Sequence, residues 1–201
     1  MANPYGDVEL GARGMRALAH PVRLAILSQL QKDGPSTATA LAPLVGATPS
    51  VTSWHLRHLA EHGLVRDAEV ASDGRQRWWE AVGTGFRFVA NSEEDLDAAR
   101  ILGDVLMEQA AALPAQWARD VEPLLEVEWR RSAGLSNTTF EVTADELAEV
   151  ESAIEELLAP YVHRKSDGDK PQGARPVRML RYVLPEAEQP ADEGDDETGQ
   201  L

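Results

Sequence analysis

Apolar residues recur at helical spacing along most of this chain and switch to strict alternation in a few short stretches. Leu10, Met15 and Leu18 predict a short helix over 10–19, interrupted at His20-Pro21. Pro21 suits the first turn of a second helix, PVRLAILSQLQKDG, with Val22, Leu24, Ala25, Leu27 and Leu30 inward and Gly34 as its stop. After Pro35, Ser36 or Thr37 caps a third helix that ends near Val45-Gly46. Thr48 caps a fourth, with Pro49 in its first position and Thr52, Leu56 and Leu59 as the inward face. Positions 50, 53, 54, 57 and 61 then point away from the core. Gly63 ends this helix, and two strands follow, joined by a tight turn at Ser72-Asp73-Gly74-Arg75. Trp78 and Trp79 must face opposite sides of the second strand, one of them toward the core.

The second half is patterned differently. Ser92 caps a long helix whose seam runs Leu96, Ala99, Gly103, Leu106, Ala110, Leu113 and Trp117, beside a second stripe at Ala98, Ile101, Leu102 and Val105. A helix apolar on more than one side must be covered by more than one partner; its own N-terminal domain and a second subunit are the natural pair. Pro114 separates it from a further helix carrying Trp117 to Trp129 and stopping at Gly134. The segment 137–143 (NTTFEVT) alternates like a strand, and Thr143 to Glu146 form a capping box for a helix with Leu147, Val150, Ile154, Leu157 and Tyr161 on one face. After a polar loop at 165–175, PVRMLRYVLP reads as a strand able to pair with 138–143. The expected fold is mainly α with small β (α+β). An N-terminal helical domain with a hairpin spans 1–90, a helical dimerisation region 91–134, a small α/β appendage 135–184 and an acidic, disordered tail 185–201.

Charge sharpens this division. The chain of 201 residues carries a formal net charge of −15, but residues 1–90 hold nine basic and eight acidic side chains, whereas 91–201 hold ten and 26. Arg57, Arg66, Arg75 and Arg77 gather around the fourth helix and the hairpin, so local charge permits a phosphate-bearing partner despite the acidic total. Cysteine is absent, which excludes disulfides and thiolate chemistry. No apolar run is long enough for a bilayer, and the first residues lack the basic-then-apolar order of a secretory signal; a cytoplasmic protein is expected. No phosphate-binding glycine loop, nucleophile elbow or metal-ligand spacing occurs in the second half, so no enzyme and no cofactor are expected.

ALAHPVRLAILSQL, TSWHLRHLAEHGLV and GRQRWWEAV, in that order, resemble the winged helix-turn-helix of the ArsR family of bacterial regulators over about residues 12–90. The resemblance implies a homodimeric repressor, with one recognition helix per subunit in the major groove of an inverted-repeat operator on double-stranded DNA. It also implies release by a small-molecule effector. Helix geometry and the resemblance together make Ser50, Ser53 and Trp54 the candidates for base edges and Thr48, Arg57 and His58 for phosphates. At the wing, Arg75 and Arg77 are placed to reach the backbone or a minor groove. Trp54 departs from the family pattern. An indole suits a thymine methyl better than bidentate readout, the alternative being that it packs against the wing.

Three competing readings accompany this one. His55, His58 and His62 have chelating i+3 and i+4 spacings, yet His55 suits a structural or phosphate role and His62 suits a helix end. The chain could instead be a winged-helix protein-interaction module with an acidic docking surface. The seven acidic side chains of 185–201 either compete with phosphate for the reading head or serve solubility alone.

Overall fold

The computed structural model describes residues 3–69, 76–88, 90–167 and 171–187. The chain forms two compact units, 1–168 and 169–201, each described by itself.

The N-terminal part of the first unit carries four helices. α1 (Ala12–Leu18) is followed by α2 (Pro21–Asp33), whose proline opens the first turn while the His20 Nδ1 accepts the Val22 N–H at 3.2 Å. Of the two cap candidates for α3 (Ala38–Leu41), Thr37 holds the place: its hydroxyl accepts the Ala40 N–H at 3.2 Å. The chain then tightens into a 3₁₀ turn over Ala42–Val45 and, after Gly46, enters α4 (Pro49–Glu61). A three-stranded antiparallel sheet lies beside these helices, with β4 (Trp78–Ala81) between β2 (Ser36–Thr37) and β3 (Val65–Asp67). The register sets Val65 opposite Ala81 and Asp67 opposite Trp79. Trp79 is buried and Trp78 half-buried, as the alternation required. The tight turn expected at 72–75, with Arg75, lies outside the described residues.

Met15, Leu18, Leu24, Leu27, Leu30, Leu56, Leu59 and Trp79 share one core, which α5 (Glu93–Ala111) completes through Ala98 and Leu102. The Ser92 hydroxyl accepts the Asp95 N–H, and an Asp95 oxygen accepts the Ala12 N–H at 3.0 Å, joining the starts of α5 and α1. The N-terminal expectation needs one correction. Leu10 is not helical but ends β1 (Val8–Leu10), which runs parallel to β5 (Phe86–Phe88) with Val8 opposite Phe86. Gly83, at φ +77°, passes this strand so closely that a Cβ would lie 2.6 Å from the Gly6 carbonyl oxygen.

Beyond α5, Pro114 opens α6 (Leu113–Asp120), and the next helix is shorter than its pattern suggested. A 3₁₀ turn at Glu122–Leu124, carrying Pro123, separates α6 from α7 (Val127–Arg130). The capping box is present at α8 (Ala144–Asp167): the Thr143 hydroxyl accepts the Glu146 N–H, and the Glu146 carboxylate accepts the Thr143 N–H at 2.8 Å. Arg87 on β5 ties this helix to the first strand's approach, lying 3.2 Å from Glu155 and 3.6 Å from Asp7. No described residue after Leu102 is buried. Within the first unit, 137–142 joins no strand, and neither does 171–187 in the second. Alternation supplied the propensity for an extended chain, but a strand also needs a ladder partner.

Candidate nucleic-acid interface

The α3–turn–α4 pair projects one helix face into solvent. Thr48 caps α4 by accepting the Val51 N–H at 3.4 Å, and the buried Thr52 hydroxyl donates to the Thr48 carbonyl at 2.9 Å, locking the first turn. Thr52, His55, Leu56 and Leu59 are buried, so Ser50, Val51, Ser53, Trp54 and Arg57 turn outward. Of the expected site residues, the fold thus brings Thr48, Ser50, Ser53, Trp54, Arg57 and His58 onto one helix. Val51 was not among them, although it is 45% exposed; its place one turn before Trp54 was the signal available.

Trp54 is 54% exposed and does not pack into the core. Its indole stacks on the His58 ring at 9° and 5.7 Å between centroids, and meets His55 edge-on at 4.9 Å. The aromatic column continues to His62, 4.9 Å from His58. The inner end is His55 against His20, 4.7 Å apart across the α2–α4 contact. Burial, then the charges of His20, Arg23 and His58, hold the His55 pKa below its ordinary value. Burial and Arg23 act likewise on His20 and His58, and the Glu61 carboxylate only partly offsets them at His58. His55 is therefore a packing residue of the helix pair. Among the described residues no group of three His, Cys, Asp or Glu is placed to hold a metal ion.

Arg57 donates to the Ser53 hydroxyl at 3.0 Å and has no carboxylate partner among the described residues. It lines a cleft of about 230 Å³ with Thr37, Thr39, Ser53 and Arg77, between α3, α4 and the base of the hairpin. Thr39 is a residue that sequence reasoning did not single out. Arg77 is engaged twice: it forms a fork with Asp67 at 2.5 and 2.8 Å, and its guanidinium carbon lies 4.0 Å from the Trp79 ring centroid. The hydrogen bond to Arg77 holds the Asp67 carboxyl below the usual range. Arg66 is likewise paired, with Glu80 at 2.6 Å.

A short helix, a glycine turn, a second helix with an outward polar and aromatic face, and an antiparallel hairpin define a winged helix-turn-helix. Known proteins agree. Residues 18–68 match a family of helix-turn-helix domains. The chain is also similar to the HTH-type transcriptional regulator YgaV of Escherichia coli (strain K12), with 33% identity over 72 residues, 34% of this chain and 73% of that protein. The chain belongs to the helix-turn-helix transcriptional regulators, and DNA is the partner this class of site reads. No described helix is long and apolar enough to cross a membrane.

Proposed function

We propose that the protein is an ArsR-type repressor that binds an inverted-repeat operator as a homodimer and leaves it when a small-molecule effector engages the C-terminal half. Each subunit offers the outward face of α4 to a major groove. Ser50, Ser53 and Trp54 meet base edges; Thr48, Arg57, His58 and the hairpin arginines Arg75 and Arg77 meet the backbone. The observation that carries this reading is the capped, outward α4 face, with Arg57 on its flank bonded to Ser53 and without a carboxylate partner among the described residues.

The homodimer draws support from the second half of the chain. Leu96, Ile101 and Met107 on α5 are exposed, as are Leu124, Val127, Leu157 and Tyr161 beyond it. Exposed apolar side chains that recur on α5, the Glu122–Leu124 turn, α7 and α8 cannot all remain in water in a stable regulator, and a second copy is the partner always present. Residues 1–90 then read DNA, 91–134 join the subunits, 135–184 form an appendage and 185–201 an acidic tail.

The test is retention on a duplex selected from a random pool. Binding should require a palindromic pair of half-sites and fall when Arg57 and Arg75 are both replaced by alanine. Unchanged retention after that double replacement would leave the protein-docking reading standing instead.

A further inference from the structure

We propose that the α4 face recognises thymine 5-methyl groups, so that its ligand class is duplex DNA with thymines set opposite Val51 and Trp54. This rests on the DNA-reading assignment above and specifies what the face reads.

Two exposed apolar side chains stand one turn apart near the start of α4, on the side that Thr52, Leu56 and Leu59 leave outward. At i and i+3 they form one small apolar surface. A single exposed apolar residue is ordinary, but a pair central to a face flanked by Arg57 and by the cleft beside it is dried whenever that face docks. The indole is already fixed by His58 on its face and His55 at its edge, so docking costs it little rotamer freedom.

The polar chemistry of the same face points the same way. Between Pro49 and Glu61 there is no Asn, Gln, Lys or Asp, and Glu61 stands in the last turn. The side chains that distinguish adenine, guanine and cytosine by paired hydrogen bonds are therefore missing, apart from Arg57, which bonds Ser53 and borders the cleft. Ser50 and Ser53 present hydroxyls, and a hydroxyl both donates and accepts, so it separates donor edges from acceptor edges poorly. With hydrogen-bond discrimination weak, preference falls to apolar contact. The major groove offers one apolar group among the four bases, the thymine methyl.

The experiment uses the full chain and a duplex enriched from random sequence. Each half-site thymine is then replaced by uracil, which removes the methyl and preserves pairing and every hydrogen-bonding edge. Affinity should fall about fourfold for each methyl buried against the face. Trp54→Ala and Val51→Ala should each lose part of the difference, and the double variant should bind thymine and uracil duplexes alike; both positions are exposed, and a native helical signal confirms the fold. Equal binding of the two duplexes by the unmodified protein would overturn the proposal alone. Failure to enrich any duplex would overturn the DNA-reading assignment beneath it, and this proposal with it.

Discussion

Residues 8–111 and 113–187 are both rich in apolar side chains at regular spacing, yet only the first stretch closes a core. In it, Leu18, Ile26, Leu56 and Leu59 are fully enclosed by their own chain. In the second, Leu124 is 80% exposed and no described residue is buried. Periodicity is a statement about a face, not about what lies against it. α2 finds α4 and β4 within the chain; the faces of α6 to α8 find nothing comparable, which is the physical content of assigning them to a second copy.

That contrast can be broken most decisively at Gly103. A Cβ there meets no atom within 4 Å in the single chain. Gly103→Glu should leave each subunit folded but dissociate the proposed dimer, because the seam would hold an unpaired charge; analytical ultracentrifugation decides, and an undisturbed dimer would remove α5 from the interface. Next in size, Leu56→Ala should cost about 2–5 kcal/mol in urea unfolding as a core truncation. Leu157→Ala, at a position exposed in one chain, should also destabilise where the chains pair, with a loss that shrinks toward zero on dilution. A change within about 0.5 kcal/mol at every concentration would mean that α8 stays uncovered.

Acid should separate the halves more gently. Four of the five histidines, His20, His55, His58 and His62, lie in the first half. Folding depresses the pKa of His20, His55 and His58, so below the ordinary value of 6.5 the unfolded chain binds more protons than the folded one. Stability should be flat above that pH and decline as pH falls through it, and His55→Gln should flatten the slope of melting temperature against pH. The smallest effect is expected at Asp67→Asn, which frees an exposed guanidinium: DNA affinity should rise by less than about fivefold, measured by titration at low salt.

The reading helix was legible in the sequence because every determinant is local: Thr48 as cap, Pro49 after it, Thr52, Leu56 and Leu59 inward. The hairpin strands and the Trp78-Trp79 division were legible for the same reason. β1 was not. Leu10 has helical spacing to Leu18, and only β5, far along the chain, makes 8–10 a strand. Ile26 joined the core although its neighbours Ala25 and Leu27 had been given the inward face, because α2 is contacted on two sides, by α4 and β4. Among the candidate site residues, helix positions were readable from geometry, whereas the commitment of Arg77 to Asp67 was not. That pairing is set by strand register, Asp67 standing opposite Trp79 two residues on from Arg77.

On the proposed reading, contact with DNA at Arg77 is an ion exchange against the Asp67 carboxylate. A phosphate arriving at Arg77 takes over from a carboxylate already seated there, so it frees no condensed counterion on the protein's behalf and adds little to the electrostatic gain. The steepness of salt dependence then counts Arg57 more fully than Arg77 or the equally occupied Arg66. A polyanion that offers charge alone must displace these internal anions before it adheres. On that reading, selectivity against indiscriminate sticking would be wired into the hairpin by its own ion pairs.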